Sequence, residues 1–313
     1  MSLKVIFMGT PDFAVQSMAA IHASDHELTA VVTVPDKAAG RGKKQKESPV
    51  KKYAKEHHLP LLQPERLKEE TFLQDLASYQ ADVFVVVAFR MLPKVVWEIP
   101  RLGTFNAHAS LLPNYRGAAP INWALMHGEK RTGVTTFMID EKIDTGAILL
   151  QDQLTISPTE NFASLHDKLA EMSASLCLKT LDALEEGITT QAQKLSGMEK
   201  DAPKLGPHNT VIDWTKSLDQ IVWHIRGLNP FPSAWTTLNQ NGETIRIKIF
   251  EATSVKGKQN HPLGKVITDK KSIRIAHPEG FIEILELQLP NKRRMKTTEL
   301  LNGFRFSEDA VLK

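Results

Sequence analysis

Short apolar runs alternate with stretches of helical periodicity through the first part of the chain. Val83–Val87 is continuously apolar, which is typical of a strand buried on both faces of a parallel sheet. Strands are predicted over Lys4–Met8, Thr29–Val34, Ala81–Ala88, Thr104–His108, Val134–Ile139 and Ala147–Gln151. Helices are predicted over Asp12–Ala23, Val50–His57 and Phe162–Glu186, and Pro35–Pro49 is predicted to be a loop. This order predicts an α/β domain with a doubly wound, mostly parallel sheet.

The pattern changes after Gly187. Residues 188–208 are polar and contain two prolines, which is typical of a linker. A helix is predicted over Ser217–Arg226, and short strands are predicted over Ala234–Leu238, Thr244–Ala252, Gly264–Thr268, Ser272–Ala276 and Gly280–Leu289. Five short strands predict a small β-barrel, an architecture that often binds oligonucleotides. We expect a first domain over residues 1–189, a linker over 190–207 and a barrel over 208–313.

The distribution of charge changes this picture more than its sum does. The chain carries 39 Lys and Arg against 36 Asp and Glu, a net charge of +3, which by itself does not indicate a nucleic-acid partner. From Asn209 to Lys313, however, the chain carries sixteen basic and eleven acidic residues, a net charge of +5. The rest of the chain carries a net charge of −2. A second basic cluster lies between Lys37 and Lys55. A single charged run is usually a solvated surface, but two such regions favour a polyanionic partner.

Cysteine usage and the amino-terminal residues indicate the setting. Cys177 is the only cysteine in the sequence, so no internal disulfide and no Cys-x-x-Cys zinc pair is expected. The apolar run that ends at Gly9 is too short to span a membrane, which takes about 20 residues. We therefore expect a cytoplasmic protein without a membrane anchor.

Candidate chemistry is densest at the end of the strand Thr104–His108. Asn106 and His108 are two residues apart, so on a strand their side chains point to the same side. A carboxamide and an imidazole in this arrangement can donate hydrogen bonds to one oxygen, as a carbonyl becoming a tetrahedral oxyanion requires. The alternative is a polar pair bonded to the backbone. The position at the carboxyl end of a parallel strand favours the site, because ligands bind there.

Asp144 is the second candidate. It lies on a loop that follows a predicted strand, where a carboxylate can orient His108 or move protons. Equally, Asp144 can serve only to cap the turn through Thr145 and Gly146. The sequence has no His-Glu-x-x-His motif, so no catalytic metal is inferred, and Ser110 lies too close to His108 along the chain for a serine nucleophile. The Gly9-Thr10-Pro11 turn argues against a nicotinamide dinucleotide site.

These segments carry a family resemblance. The run Asn106-x-His108-x-Ser110-Leu111-Leu112-Pro113, with Arg116-Gly117 and the later Asp144-Thr145-Gly146, resembles the 10-formyltetrahydrofolate-dependent formyltransferases. Arg41 in its glycine-rich loop and the stretch Arg226–Pro232 resemble the members that act on charged transfer RNA. The resemblance implies a Rossmann-like catalytic domain, an OB-like barrel, and formyl transfer from 10-formyltetrahydrofolate to the α-amino group of methionyl initiator tRNA, in a monomer.

The resemblance also implies residue roles. Asn106 and His108 would polarise the formyl oxygen, and Asp144 would order a water and assist proton transfer. The residues expected at the folate are Ser110, Leu111, Leu112, Pro113, Arg90, Met91, Leu92, Ile139 and Asp140. The residues expected at the tRNA are Arg41, Lys43, Lys44 and Lys204.

The sequence departs from the family pattern at two places. Phe89–Pro93 is one residue shorter than in many members, and Ala109 replaces the usual glycine between the histidine and the serine. Formylation of an amino-sugar nucleotide and hydrolysis of 10-formyltetrahydrofolate remain alternatives within the family. Outside it, a non-catalytic RNA-binding protein remains an alternative, which would show RNA affinity without formyl transfer.

Overall fold

A computed structural model describes residues 2–39 and 44–313, which form two compact units. The first unit comprises Met1–Pro120, Arg131–Thr155 and His166–Asp201, and the second comprises Ile121–Lys130, Ile156–Leu165 and Ala202–Lys313. The predicted domain boundaries at residues 189 and 208 remain a prediction. No helix within the described ranges is both long enough and apolar enough to cross a membrane.

The elements as far as Glu185 are mainly those of the first unit. Their strands are β1 Lys4–Gly9, β2 Glu27–Val32, β3 Lys37–Ala39, β4 Lys44–Lys46, β5 Leu61–Leu62, β6 Val83–Val87, β7 Thr104–His108, β8 Arg116–Gly117, β9 Arg131–Met138 and β10 Ile148–Thr155. Their helices are α1 Asp12–His22, α2 Pro49–Glu56, α3 Glu70–Ser78, α4 Lys94–Trp97, α5 Pro120–Met126 and α6 Phe162–Glu185.

One sheet of seven strands, in the order β10-β9-β7-β6-β1-β2-β5, organises the first unit. β1 pairs in parallel with both β2 and β6, and β7 continues in parallel beside β6. β9 runs antiparallel to β7, and β10 runs antiparallel to β9. The strand order reverses at β1, from which the chain builds the sheet first to one side and then to the other. The predicted doubly wound, mostly parallel sheet is therefore confirmed.

The sheet forms because its central strands are apolar on both faces. Phe7 on β1, Phe84 on β6 and Phe105 on β7 are all fully buried. Packing apolar residues on both faces leaves the strand ends as the places where polar side chains can serve a ligand.

The structure corrects the sequence prediction at Pro35–Pro49. β3 and β4 form a short antiparallel ribbon there, with Lys37 opposite Lys46 and Ala39 opposite Lys44. The two strands pair with each other and not with the seven-stranded sheet. Their sequence therefore lacks the apolar periodicity that a strand within a larger sheet would show. The prediction that this segment is entirely loop is wrong to that extent.

The remaining elements belong mainly to the second unit. The strands are β11 Asp201–Ala202, β12 Ala234–Gln240, β13 Glu243–Lys256, β14 Val266–Thr268, β15 Ile273–His277, β16 Gly280–Gln288, β17 Met295–Lys296 and β18 Val311–Leu312. The helices are α7 Pro207–Thr210, α8 Leu218–Gly227 and α9 Thr297–Leu301.

The second unit contains an antiparallel, barrel-like sheet in the order β14-β15-β16-β13-β12-β18, with β17 beside β16. An antiparallel bridge between Lys265 and Val311 links the two ends of this order, and the Leu312 amide donates to the Gly264 carbonyl at 2.8 Å. Closure in this way removes the exposed edges that an open sheet would present. The predicted small β-barrel is confirmed, and its five predicted strands are β12 to β16.

Candidate active site

Asn106 and His108 lie at the carboxyl end of β7, between a parallel and an antiparallel neighbour. Asn106 is opposite Phe137 of β9, and His108 is opposite Thr135. Strand alternation places the two polar side chains on one face of the sheet. Asn106 is half-buried, and its side chain has no hydrogen-bond partner among the described residues. Its carboxamide therefore keeps its donors for a ligand.

The hydrogen bonds of the His108 ring assign different tasks to its two nitrogens. His108 is 7% exposed, and its Nε2 lies 2.7 Å from the carbonyl oxygen of Tyr115. A carbonyl oxygen only accepts, so Nε2 carries the proton in this contact. The Nδ1 atom faces Asp144, whose Oδ2 is 3.8 Å away, which is too far for a direct hydrogen bond. Nδ1 is therefore the ring nitrogen that remains available to a substrate.

The Asp144 carboxylate is held from outside its own loop. Its Oδ2 accepts a hydrogen bond from the backbone amide of Gly117 at 2.8 Å, and its side chain is 15% exposed. The residue that caps the loop is Asp140, which accepts from the Lys142 amide at 3.0 Å and from the Thr145 hydroxyl at 2.7 Å. The interpretation of Asp144 as only a turn cap is therefore wrong, because Asp140 has that role.

The backbone of the Asp144 loop is closely fitted. Asp144 has a φ of +55°, in the left-handed region that non-glycine residues rarely adopt. A Cβ atom at Gly146 would lie 1.6 Å from the Met138 carbonyl oxygen, so only glycine fits there. The loop thus combines an unfavourable backbone conformation with a close approach to β9, and such conformations persist only where surrounding contacts hold them.

The segment that follows His108 is anchored by side chains of β9 and β10. The Thr135 hydroxyl donates to the Ser110 carbonyl at 2.7 Å and accepts from the Leu112 amide at 3.1 Å. The Gln151 carboxamide donates to the Leu112 carbonyl and to the Thr135 hydroxyl, both at 2.9 Å. The sequence analysis identified neither Thr135 nor Gln151. The signal that could have indicated them is a threonine and a glutamine on two consecutive predicted strands close to the candidate site.

The residues predicted to line the folate site differ in what they expose. Ser110 is fully buried and its hydroxyl donates to the Asn114 carbonyl at 2.7 Å, which leaves it no role as a nucleophile. Leu112 is also buried, Leu111 and Pro113 are half-buried, and the Leu112–Pro113 peptide bond is cis. Any ligand at this segment would meet mainly Leu111, Pro113 and the backbone.

Arg90, Met91 and Leu92 follow β6, whose carboxyl end lies beside that of β7. The Arg90 guanidinium donates to the carbonyl oxygens of Glu65 and Pro64, and its partial burial lowers its pKa. Met91 is 68% exposed, whereas Leu92 is buried. The Arg90 side chain is therefore engaged in holding the chain near residue 64, and Met91 is the apolar side chain open to a ligand.

Ile139 and Asp140 lie near the other end of β7. The Ile139 amide donates to the carbonyl of Thr104, the first residue of β7, at 2.8 Å, and Asp140 is exposed. The chain then folds back along the strand to bring Asp144 to His108. The structure thus brings together Asn106, His108 and Asp144, but it does not place Ile139 and Asp140 beside His108.

The residues predicted to bind tRNA are described only in part. Arg41 and Lys43 lie outside the described residues, and for Lys44 only the backbone is described, in β4. Lys204 is exposed. In the second unit, the Arg246 guanidinium lies 3.8 Å from the centre of the Trp235 ring, which holds the cation over an aromatic face.

A further set of contacts, absent from the sequence reasoning, involves Gln193. Its carboxamide oxygen accepts from Arg116 Nε at 3.2 Å and Nη2 at 2.6 Å. Its nitrogen donates to the carbonyl oxygens of Asp144 at 2.9 Å and Gly146 at 2.8 Å. In residues 2–39 and 44–313, no group of three or more His, Cys, Asp or Glu side chains is arranged to hold a metal ion.

Comparison with known proteins relates both units to one family. Residues 3–181 match the family described as "Formyl transferase", and residues 204–305 match "Formyl transferase, C-terminal domain". The chain is 52% identical over 309 residues to the methionyl-tRNA formyltransferase of Flavobacterium johnsoniae, with 98% of each chain covered.

Two solved structures resemble the chain in fold. HypX from Aquifex aeolicus in complex with tetrahydrofolic acid has a TM-score of 0.63 at 18% identity, over 96% of this chain and 47% of that one. An N-formyltransferase from Helicobacter canadensis, in complex with folinic acid and dTDP-3-aminofucose, has a TM-score of 0.64 at 19% identity, over 94% of this chain and 100% of that one. At these identities the likeness supports the fold alone.

Proposed function

Because the chain belongs to the methionyl-tRNA formyltransferase family, it is an enzyme that transfers a formyl group to methionyl-tRNA, and we propose that the donor is 10-formyltetrahydrofolate and the acceptor is the α-amino group of methionyl initiator tRNA. The observation that carries this proposal is the group of Asn106, His108 and Asp144 at the end of β7. Amine attack on a formyl carbon requires a donor to the oxyanion, a carrier for the proton and a group that balances the carrier's charge, and these three side chains can supply them.

Asn106 is the donor to the formyl oxygen. Its carboxamide is half-buried and has no partner among the described residues, so its N–H group can bind the oxygen as negative charge develops. A donor placed in advance where charge appears stabilises the tetrahedral intermediate more than the ground state.

His108 moves the proton through Nδ1. The amine nitrogen attacks the formyl carbon, the carbonyl electron pair moves to oxygen, and the neutral ring takes a proton from the attacking nitrogen. The carbonyl then reforms as the bond to the folate N10 breaks, and the ring returns its proton to N10. Nε2 stays bound to the Tyr115 carbonyl throughout, which keeps the ring in one orientation.

Asp144 offsets the positive charge that the ring gains between these two transfers. Its Oδ2 lies 3.8 Å from Nδ1, close enough for a strong attraction in a mostly buried site. The Gly117 amide fixes that oxygen, so the carboxylate does not need to reorganise during the reaction.

The folate is proposed to lie against the segment Ser110–Pro113 and the chain after β6. Half-buried Leu111 and Pro113 and exposed Met91 supply apolar contacts, and tetrahydrofolic acid bound to the HypX structure of similar fold is consistent with a folate substrate. Arg90, Leu92, Ser110 and Leu112 would support this surface from beneath, whereas Ile139 and Asp140 would act through the course of their loop.

The tRNA is proposed to contact the basic residues Arg41, Lys43, Lys44 and Lys204. The net charge of +5 from Asn209 onward and the exposure of Lys204 support a polyanion partner.

We also propose a cytoplasmic monomer. The cytoplasmic setting is supported by the sole cysteine, Cys177, which is free and fully buried; burial raises its pKa to about 12, so no structural disulfide is implied.

Salt dependence tests the tRNA contacts. Each phosphate neutralised by a lysine or arginine contributes about −0.7 to −0.9 to the slope of log K against log salt, so several contacts give a slope of roughly −3 or steeper. Filter binding of methionyl initiator tRNA between about 50 and 200 mM salt should show a loss of ~60-fold or more. A flat response would contradict recognition through phosphates.

The decisive assay for the proposed reaction supplies 10-formyltetrahydrofolate and methionyl initiator tRNA, with an amino-sugar nucleotide as competitor. We expect formyl-methionyl-tRNA as the product and no inhibition by the competitor. Formylation of the sugar amine, or release of formate without transfer, would instead support one of the alternatives within the family. RNA binding without any transfer would support the non-catalytic alternative.

A further inference from the structure

Gln193 lies in the polar segment after α6 and has every polar position of its side chain filled. The oxygen accepts two hydrogen bonds from the Arg116 guanidinium, at 3.2 and 2.6 Å, and the nitrogen donates to the carbonyls of Asp144 and Gly146, at 2.9 and 2.8 Å. A carboxamide has two acceptor sites and two donor hydrogens, so no part of it remains for solvent or substrate. Its role is therefore within the protein.

The backbone next to Gln193 fixes its register. The Gln191 amide donates to the Ile148 carbonyl at 2.8 Å, and the Ile148 amide donates back to the Gln191 carbonyl at 2.7 Å. Ile148 is the first residue of β10, immediately after the Asp144 loop. This two-way bridge aligns the segment with the sheet, so Gln193 reaches the loop from a fixed position and is not a freely moving linker residue.

The contacts of Gln193 join both supports of the Asp144 carboxylate. On one side Gln193 binds the backbone of Asp144, which has the unfavourable φ of +55°. On the other it binds Arg116, and the next residue, Gly117, donates to Asp144 Oδ2. These hydrogen bonds, together with the peptide bond between Arg116 and Gly117, form a closed ring of contacts. The ring leads from Gln193 to the Asp144 carboxylate and returns to Gln193 through the Asp144 carbonyl. One side chain fixes the loop and the donor that orients its carboxylate.

We propose that Gln193 is a positioning residue for formyl transfer, which holds Asp144 at its distance from His108. This inference rests on the proposed role of Asp144. Gln193 does not touch the reacting atoms, so its loss should change the rate of the chemical step and leave substrate affinity nearly unchanged. Misplacement of a functional group by about 1 Å is enough to cost up to ~100-fold in rate.

The first test replaces Gln193 by leucine, which has a similar size and no hydrogen-bonding groups. For Gln193→Leu we expect kcat to fall ~10- to 100-fold while the KM values for both substrates change less than about threefold. Gln191→Leu is the matched control, because it makes the same chemical change two residues away on an exposed side chain. A wild-type kcat for Gln193→Leu, or an equal loss in Gln191→Leu, would overturn the proposal.

A second variant guards against a folding defect. Gln193→Glu keeps the size and the acceptor for Arg116, but its carboxylate cannot donate to the two carbonyls. We expect it to melt near the wild-type temperature and to be slowed as Gln193→Leu is. Wild-type turnover in Gln193→Glu would show that the two donated hydrogen bonds do not matter to the reaction.

A double variant separates this proposal from the proposed function. If Gln193 acts through Asp144, Gln193→Leu combined with Asp144→Asn should be no slower than Asp144→Asn alone, within about twofold. Rate losses that multiply would overturn the positioning role and leave the role of Asp144 intact. Wild-type turnover in Asp144→Asn would overturn both.

Discussion

The two segments that meet at His108 are held in opposite ways. The turn from Ala109 to Tyr115 follows β7 directly, and the buried Thr135 and the Gln151 amide bind its backbone from beneath. The loop from Asp140 to Gly146 is largely exposed and carries Asp144 in a left-handed conformation. Its supports come from residues distant in sequence, Gly117 and Gln193.

This difference relates to what each segment contributes. The turn fixes an imidazole through the Tyr115 carbonyl, and it is built from contacts inside the sheet of the first unit. The loop presents a carboxylate to the same ring, yet no sheet pairing holds the carboxylate in place. Precision on the loop therefore depends on a few side-chain hydrogen bonds, whereas precision on the turn depends on the core. Removing a supporting hydrogen bond should therefore lower the free energy of unfolding when that bond holds the turn. It should lower the rate of formyl transfer when that bond holds the loop.

The largest effect is expected from removing the group that each segment presents. His108→Ala and Asp144→Ala should each lower kcat by ~100-fold or more, because one removes the proton carrier and the other leaves its charge unbalanced. Asn106→Ala should lose a comparable factor through the oxyanion donor. The measurement is single-turnover formyl transfer with saturating substrates.

Coupling between these variants sharpens the comparison. If the ring and the carboxylate serve one step, the double variant of His108 and Asp144 should be little slower than the slower single variant. His166→Ala serves as a control, since this histidine lies on α6 and packs against Phe13 of α1. Losses that multiply would contradict a shared step, and wild-type turnover of Asn106→Ala or His108→Ala would contradict the assigned site.

Much of this arrangement was predictable from local pattern. The continuous apolar run at Val83–Val87 and the spacing of Asn106 and His108 depend on neighbouring residues only, and the structure places them in β6 and at the end of β7 as expected. Helix α3 was not predicted, because Phe72 and Leu76 are its only buried residues and give too weak a period.

The supports of Asp144 were not predictable in the same way. Nothing near Gln193 in sequence marks it, since its partners Arg116 and Asp144 are 77 and 49 residues away. The choice between Asp140 and Asp144 as the turn cap is similar, because both precede Thr145 and only the fold shows which carboxylate binds its hydroxyl. Long-range hydrogen bonds depend on the completed topology, and a single sequence does not reveal them.

The next effect in size concerns the turn. Thr135→Val removes a hydroxyl that serves Ser110, Leu112 and Gln151, and it leaves buried backbone and amide groups unpaired. We expect a loss of about 2–3 kcal/mol in the free energy of unfolding, measured by denaturant titration. Thr132→Val is the matched control on the same strand, because Thr132 is equally buried and its side chain has no hydrogen bond among the described residues. Equal losses in the two variants would show that strand packing, and not the hydroxyl, holds the turn.

The smallest effect is expected at Asp140, the cap of the exposed loop. Asp140→Ala removes the acceptor of the Lys142 amide and the Thr145 hydroxyl, but it leaves the bonds from Gln193 to Asp144 and Gly146 in place. The free energy of unfolding should fall by less than about 1 kcal/mol, because the group is exposed to water. We expect kcat to fall only about two- to fivefold, with Lys142→Ala as a control whose charge is lost and whose capped amide is kept. If Asp140→Ala slowed transfer as much as Asp144→Ala does, the loop's own cap would be what holds the carboxylate, and the contrast between a turn held by the core and a loop held by Gln193 would be wrong.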